Sequence, residues 1–227
     1  LCPEKIPMVR DEAPSILYEH KDKQYNFRAT SKFMSTDKLT EAAEKEWLET
    51  WMAGPGDKRS KLLDVGTNAP DLELLDHTDA SRRLSLFWSD GPALLMFWRH
   101  FGCGCGLDRA SRLKDEYADY QAAGITPVII GQGEPERAAA YKEKYDIDCT
   151  ILCDPEFAAY SAFGLSHFGV EQVLYDAPED TWCHSKEIGL EFQEARRAMN
   201  RPLVDNPWMS PGEFLVDSSG TIRVPYA

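Results

Sequence analysis

This chain has no long apolar run, and that sets a first boundary. Nothing in its 227 residues approaches the ~18–20 consecutive apolar residues that cross a bilayer, so no membrane span is expected. Basic charge is also short: 25 Lys and Arg stand against 38 Asp and Glu, a net charge of −13. Nucleic acid and anionic membrane surfaces are therefore poor partners. Cysteine is sparse, with six in all, at Cys2, Cys103, Cys105, Cys149, Cys153 and Cys183. Their spacing matches neither a disulfide framework nor paired zinc-finger knuckles. That excludes a disulfide-stapled scaffold and fits a reducing, cytoplasmic setting. Internal repeats and low-complexity tracts are absent too. The chain opens Leu-Cys-Pro rather than on Met, which is compatible with a removed targeting segment.

What is present is a globular composition, 43% hydrophobic, long enough for one large domain or a domain with an appendage. The organising stretch is Ala93–Gly106, ALLMFWRHFGCGCG. Ala93 to Trp98 has the length of a strand buried on both faces. It runs into Cys103 and Cys105 set among glycines. From Leu107 the sequence reads as a helix, with Leu107, Ala110, Leu113, Tyr117 and Tyr120 at helical spacing and Gly124 as its stop. A thiol at or near a helix N-terminus meets unpaired N–H groups and the positive end of the dipole, which favour the reactive thiolate.

Along the rest of the chain, residues 1–60 form an N-terminal α+β appendage. A hairpin is expected over Ser15–Phe33, turning at Lys21-Asp22-Lys23, with Leu17, Tyr25 and Phe27 as its apolar contacts. Ser35 or Thr36 caps an acidic helix over Asp37–Ala53 that carries Leu39, Ala43, Trp47, Leu48 and Trp51 on one side. Gly54–Ser60 is a linker. The main domain, residues 61–227, opens with a hairpin-like entry: Val65–Leu74 leads into a short strand, followed by a polar turn over Asp76–Arg83 and a second apolar piece at Leu84–Trp88. Strands follow at Thr126–Gly131 and Thr150–Cys153, helices at Glu134–Tyr145 and Pro155–Phe163. An insertion at about 165–209 holds His167, Trp182, Cys183, His184 and a helix over Ser185–Asn200. Glu213–Asp217 and Thr221–Val224 close the chain as an antiparallel hairpin. Strands alternating with helices before a final hairpin give an α/β sandwich with a mixed central sheet flanked by helices.

With these pieces in order, the sequence resembles the thioredoxin fold, and more narrowly the peroxiredoxin-like subgroup of the AhpC/TSA (redoxin) superfamily. VGTNAPDLELLD is similar to the redoxin entry hairpin, with Gly66, Ala69, Pro70 and Asp71 matching. In ALLMFWRHFGC an Arg-x-Phe-Gly-Cys run leads to the position of the nucleophile. CDPEFAAYSAFGL and MSPGEFLVDSSGTIR match the later strand–helix and the closing hairpin. The resemblance implies an antioxidant thiol–disulfide oxidoreductase or peroxidase, a peroxide or disulfide substrate, and a reducing thiol or thioredoxin-type reductant. It calls for no cofactor, and a homodimer is compatible with it. It also implies a cis-proline at Pro211 beside the active cysteine. One departure is plain: the proline and the Thr or Ser that true peroxiredoxins place seven and three residues before the nucleophile are Met96 and His100 here. The N-terminal run YEHKDKQYNFRATSKF, with Cys2-Pro3 upstream, resembles a YHS module. Arg28 and Lys32 stand where that family places metal-binding cysteines.

The candidate catalytic residues are therefore Cys103 as nucleophile, Cys105 as resolving thiol, Arg99 and His100 as sources of positive charge, and Pro211 as a loop-shaping neighbour. A disulfide between Cys103 and Cys105 would close a small, strained, easily reduced ring. The alternative use of the same thiols is binding or delivery of a soft metal, copper or zinc, completed by His167, Cys183 or His184. A non-catalytic interaction domain, with the cysteines as small residues of a tight loop, is the third reading. Cys149 and Cys153 read as core, and the tryptophans Trp88, Trp98, Trp182 and Trp208 as aromatic packing.

Overall fold

The computed structural model describes residues 36–56, 61–99, 101, 104–169, 185–198 and 203–227. The expected hairpin over Ser15–Phe33 and the YHS-like run lie outside them. The elements in order are α1 (Thr36–Ala53), β1 (Glu73–Asp76), β2 (Ser81–Arg83), a 3-10 turn (Leu84–Phe87), β3 (Ala93–Phe97) and α2 (Gly104–Ala122). They continue with β4 (Thr126–Gly131), α3 (Pro135–Tyr145), β5 (Thr150–Cys153), α4 (Ala158–Ala162), α5 (Ser185–Ala198), β6 (Gly212–Val216) and β7 (Ile222–Tyr226).

A seven-stranded mixed sheet in the order β2-β1-β5-β4-β3-β6-β7 carries the fold. The central strands β5, β4 and β3 run parallel, while β6 pairs antiparallel with β3 and β1 antiparallel with β5. Successive residues of a strand face opposite sides, and here both sides are buried. Leu95 and Phe97 join Val128, Ile130, Tyr160, Phe163 and Phe214 in one core. Met96 and Trp98 join Ile129, Ile151, Leu113 and Tyr141 in the other. This is why β3 reads as an unbroken apolar run: a strand covered on both faces has no position to give to solvent.

Three expectations are corrected. First, the second strand of the entry hairpin is Ser81–Arg83, and Leu84–Phe87 is a 3-10 turn. The reason is Asp76, a carboxylate buried in the hairpin that needs partners. It accepts the amides of Thr78 (2.7 Å) and Ala80 (3.2 Å), the Thr78 hydroxyl (2.5 Å) and Arg82 Nε (2.8 Å). These bonds draw the turn tight at 77–80 and start the return strand early, and they hold the Asp76 carboxyl far below the usual carboxylate range despite the opposing cost of its burial. Second, α2 begins at Gly104 rather than Leu107, so the apolar spacing marked the helix face but not its first turn. Third, the described residues contain no cis peptide, so Pro211 is trans. Ser210 N–H bonds Ser166 O at 3.0 Å and Met209 bridges His167; the chain enters β6 extended, and a proline just before a strand costs no ladder bond.

The helix α1 packs against α5, so residues 36–53 and 185–198 meet. Between them lies a third core, Trp47, Trp51, Leu203 and Trp208. Trp51 is sandwiched between Trp47 (5.3 Å) and Trp208 (4.8 Å), both nearly parallel to it. Trp208 Nε1 donates to Thr50 O at 2.9 Å, which ties α1 to the segment leading into β6. No helix among the described residues is long and apolar enough to cross a membrane.

Candidate active site at the end of the third strand

The site is built where β3 and β4 end together. Trp98 N–H still bonds Ile130 O at 2.9 Å, and beyond it the chain turns away. Arg99 sends its guanidinium to Pro207 O, through Nη2 at 2.6 Å and Nε at 3.2 Å, with its charge 5.7 Å over the Phe168 ring. Phe101 is fixed twice. Its ring packs onto the bare backbone of Gly131 and Gly133, where an added Cβ would lie 2.5 and 2.6 Å from ring atoms, and stacks on Tyr141 at 4.8 Å. Its amide donates to Asp205 Oδ2 at 3.3 Å.

Immediately after this anchor comes the cysteine pair. His100 and Cys103 lie outside the described residues, as do Cys183 and His184. Cys105 is described as backbone, inside the first turn of α2. Cys103 therefore directly precedes the first residue of a 19-residue helix, where the unpaired amides and the dipole favour negative charge. The helix is held over the sheet by Arg109, which donates to Glu213 of β6 (2.7 Å) and to Glu116 (3.0 Å). Met96, standing where peroxiredoxins carry a proline, is wholly buried in β3, paired with Ile129 and Glu213. That position belongs to the sheet core.

Two of the remaining cysteines lie in the core. Cys149 and Cys153 are buried, and burial pushes each thiol up to about 12. His167 is committed to structure: Nδ1 accepts the Gly56 amide at 2.8 Å and Nε2 lies 3.2 Å from Asn206 Nδ2. Burial holds its pKa below the ordinary imidazole value. A metal would have to displace one of these contacts, and no group of three or more potential ligands exists among the described residues.

The residues that sequence reasoning missed are those around Phe101. Asp205 is buried, takes φ +65° and is ion-paired with Arg137; Arg137 Nε also donates to Glu134 at 2.7 Å. Gln132 Oε1 accepts the Asn206 amide at 2.8 Å. Asp205-Asn206-Pro207 is a turn signature, and Gly131-Gln132-Gly133 signals close backbone approach. Neither pattern says which segments meet.

Comparison with known proteins agrees with this architecture. A family model described as the AhpC/TSA family matches residues 65–224. The chain is 31% identical over 110 residues to the Arabidopsis thaliana thioredoxin-like protein AAED1, chloroplastic, a match covering 48% of this chain and 42% of that one. It is 23% identical over 160 residues to the Haemophilus influenzae protein bcp, covering 70% of this chain and 83% of that one. The crystal structure of peroxidoxin BcpB from Mycobacterium tuberculosis superposes with a TM-score of 0.51 at 19% identity, over 70% of this chain and 82% of that one.

Proposed function

Since this chain belongs to the AhpC/TSA family and has its peroxiredoxin-like thioredoxin fold, we propose that it is a thiol-dependent reductase of peroxides, or of disulfides, working through Cys103. The observation that carries the reading is the start of α2 at Gly104. In the sequence Cys103 directly precedes that residue.

The chemistry balances as a peroxidase cycle. The Cys103 thiolate attacks one peroxide oxygen; an S–O bond forms, the O–O bond breaks, and the departing alkoxide or hydroxide takes up a proton. Cys103 is now a sulfenic acid. The Cys105 thiol condenses with it, an S–S bond forms, and water leaves. An external dithiol then reduces the disulfide by exchange and is itself oxidised. With a disulfide substrate the first step is thiolate exchange instead.

Cys105 sits in the first turn of α2, and opening of that turn would help bring it to Cys103. Gly104 and Gly106 flank Cys105, and each glycine weakens a helix by about 1 kcal/mol relative to alanine, so this turn opens more readily than the rest. The metal reading gains no support: His167, its described candidate ligand, is occupied on both ring nitrogens.

The test is the intact mass of reduced protein after one equivalent of hydrogen peroxide. The expected result is loss of two hydrogens, abolished in Cys103→Ser and replaced by gain of one oxygen in Cys105→Ser. An unchanged mass, or oxidation that survives Cys103→Ser, would overturn the assignment.

A further inference from the structure

His167 stands in a seat that a neutral imidazole fits poorly and a charged one does not fit. Its Nδ1 accepts the Gly56 amide at 2.8 Å, so in the neutral ring the proton lies on Nε2. Nε2, however, faces Asn206 Nδ2, a second donor, at 3.2 Å. Turning the Asn206 amide over would only move the mismatch, because Asn206 Oδ1 already accepts the Trp208 amide at 2.8 Å. The ring thus lies between two N–H groups. As a neutral base it satisfies one of them; as an imidazolium, a donor on both sides, it satisfies neither. Partial burial acts in the same direction and holds its pKa below the ordinary value.

The two donors belong to different parts of the fold. Gly56 follows α1, and a Cβ there would lie 3.2 Å from Nδ1, so the backbone itself closes on the ring. Asn206 belongs to the segment 203–209 and is fixed without His167, its amide on Gln132 Oε1 at 2.8 Å. The backbone beside His167 is held as well, with Ser210 N–H on Ser166 O at 3.0 Å and Phe168 N–H on Trp208 O at 2.7 Å. Gly56 differs, since its one N–H goes to the ring. The charged groups on the surrounding elements have partners of their own. Arg99 donates to Pro207 O and lies over Phe168, the Asp205 carboxylate takes Arg137 and the Phe101 amide, and Lys61 pairs with Asp64 at 2.6 Å. We propose that His167 is a proton-operated latch: the neutral ring fastens residues 54–56, the exit of α1, to the segment 203–209, and protonation releases Gly56 while that segment stays in place. The latch does not depend on the assignment of Cys103.

The test is hydrogen exchange of the Gly56 amide, followed by NMR on the wild-type protein from about pH 7.5 to 5 and corrected for the intrinsic pH dependence of exchange, beside the titration of the His167 ring. The closed latch prefers the neutral ring. Its contribution is therefore full above about pH 6.5 and is lost as pH falls toward the depressed value of the closed state. Protection of Gly56 should fall by up to about tenfold per pH unit below 6.5 and level off once the ring is charged. The Asn206 amide, and those of Ile129 and Ile130 in the paired strand β4, should keep their protection. His167→Gln offers a side-chain oxygen that does not titrate, so its corrected Gly56 exchange should be the same at every pH. The wild-type curve judges the proposal even if that variant fails to fold. Gly56 protection that ignores pH, or that keeps falling after the ring is charged, would overturn it. So would pH dependence that survives His167→Gln, or parallel loss at Ile129 and Ile130, which would mark general unfolding rather than a local release.

Discussion

Replacing Gly131 by alanine should destabilise the protein and disturb the cysteine loop together. A Cβ at residue 131 would lie 2.5 Å from Cζ and 2.8 Å from Cε1 of Phe101, well inside van der Waals contact. The strand cannot yield, because β4 is hydrogen-bonded to β3 on one side and β5 on the other. The ring must move, and it is stacked on Tyr141, which packs in turn on Trp98 and Tyr145. Overpacking of this kind costs about 1–3 kcal/mol. Gly131 is not among the positive-φ glycines, so alanine also recovers about 0.4–1 kcal/mol by restricting the unfolded chain. The net loss is centred on about 1.3 kcal/mol, between limits of about 0 and 2.6 kcal/mol. For a protein of this size that lowers Tm by about 3–6 °C, measurable by calorimetry or urea titration. Adding Phe101→Leu should relieve the clash, so the double variant should be less destabilised than the sum of the singles by about 1 kcal/mol. A Gly131→Ala protein as stable as wild type, or strictly additive singles, would refute the seat assigned to Phe101.

Other outcomes follow from separate parts of the molecule. Trp208→Ala removes a wholly buried ring stacked on Trp51 and should cost about 3–5 kcal/mol; Trp208→Phe keeps an aromatic ring but loses the bond to Thr50 O, at about 1 kcal/mol. Urea titration separates the two, and equal losses would contradict the stacking role. Native protein treated with iodoacetamide at pH 8 should remain unlabelled at Cys149 and Cys153, whose thiols burial pushes up to about 12; rapid labelling at either would show that the β5 face opens. Burial lowers the His167 pKa below 6.5, and protonating Nδ1 breaks its bond from the Gly56 amide. Folding thus favours the neutral ring: its contribution is present above about pH 6.5 and is lost as pH falls through the depressed folded value. The urea midpoint should drop between pH 7.5 and 5.5, and His167→Gln should flatten that drop; an unaltered slope would contradict it.

The sheet was legible because its strands are simple signals. Ala93–Trp98, Thr126–Gly131 and Thr150–Cys153 are short apolar runs bounded by polar or glycine positions, and each became a strand at nearly those bounds. The entry hairpin differs because Asp76 reads as the first residue of a polar turn, whereas it ends β1 as a buried acceptor that pulls the turn around itself. The start of α2 was hidden by Gly104 and Gly106, poor helix formers that only a terminus tolerates well. The motif pointing to Cys103 was visible in one stretch of chain. The contacts around Phe101 were not, since Asp205 and Arg137 stand 104 and 36 residues from it, and nothing in periodicity joins them.

The central claim is that Cys103 is an activated thiol at the N-terminus of α2. Its most direct test is the pH dependence of Cys103 alkylation in the wild-type protein, with Cys103→Ser as the blank. The account predicts a midpoint clearly below the free-cysteine value of about 8.5; a midpoint at or above that value would contradict it.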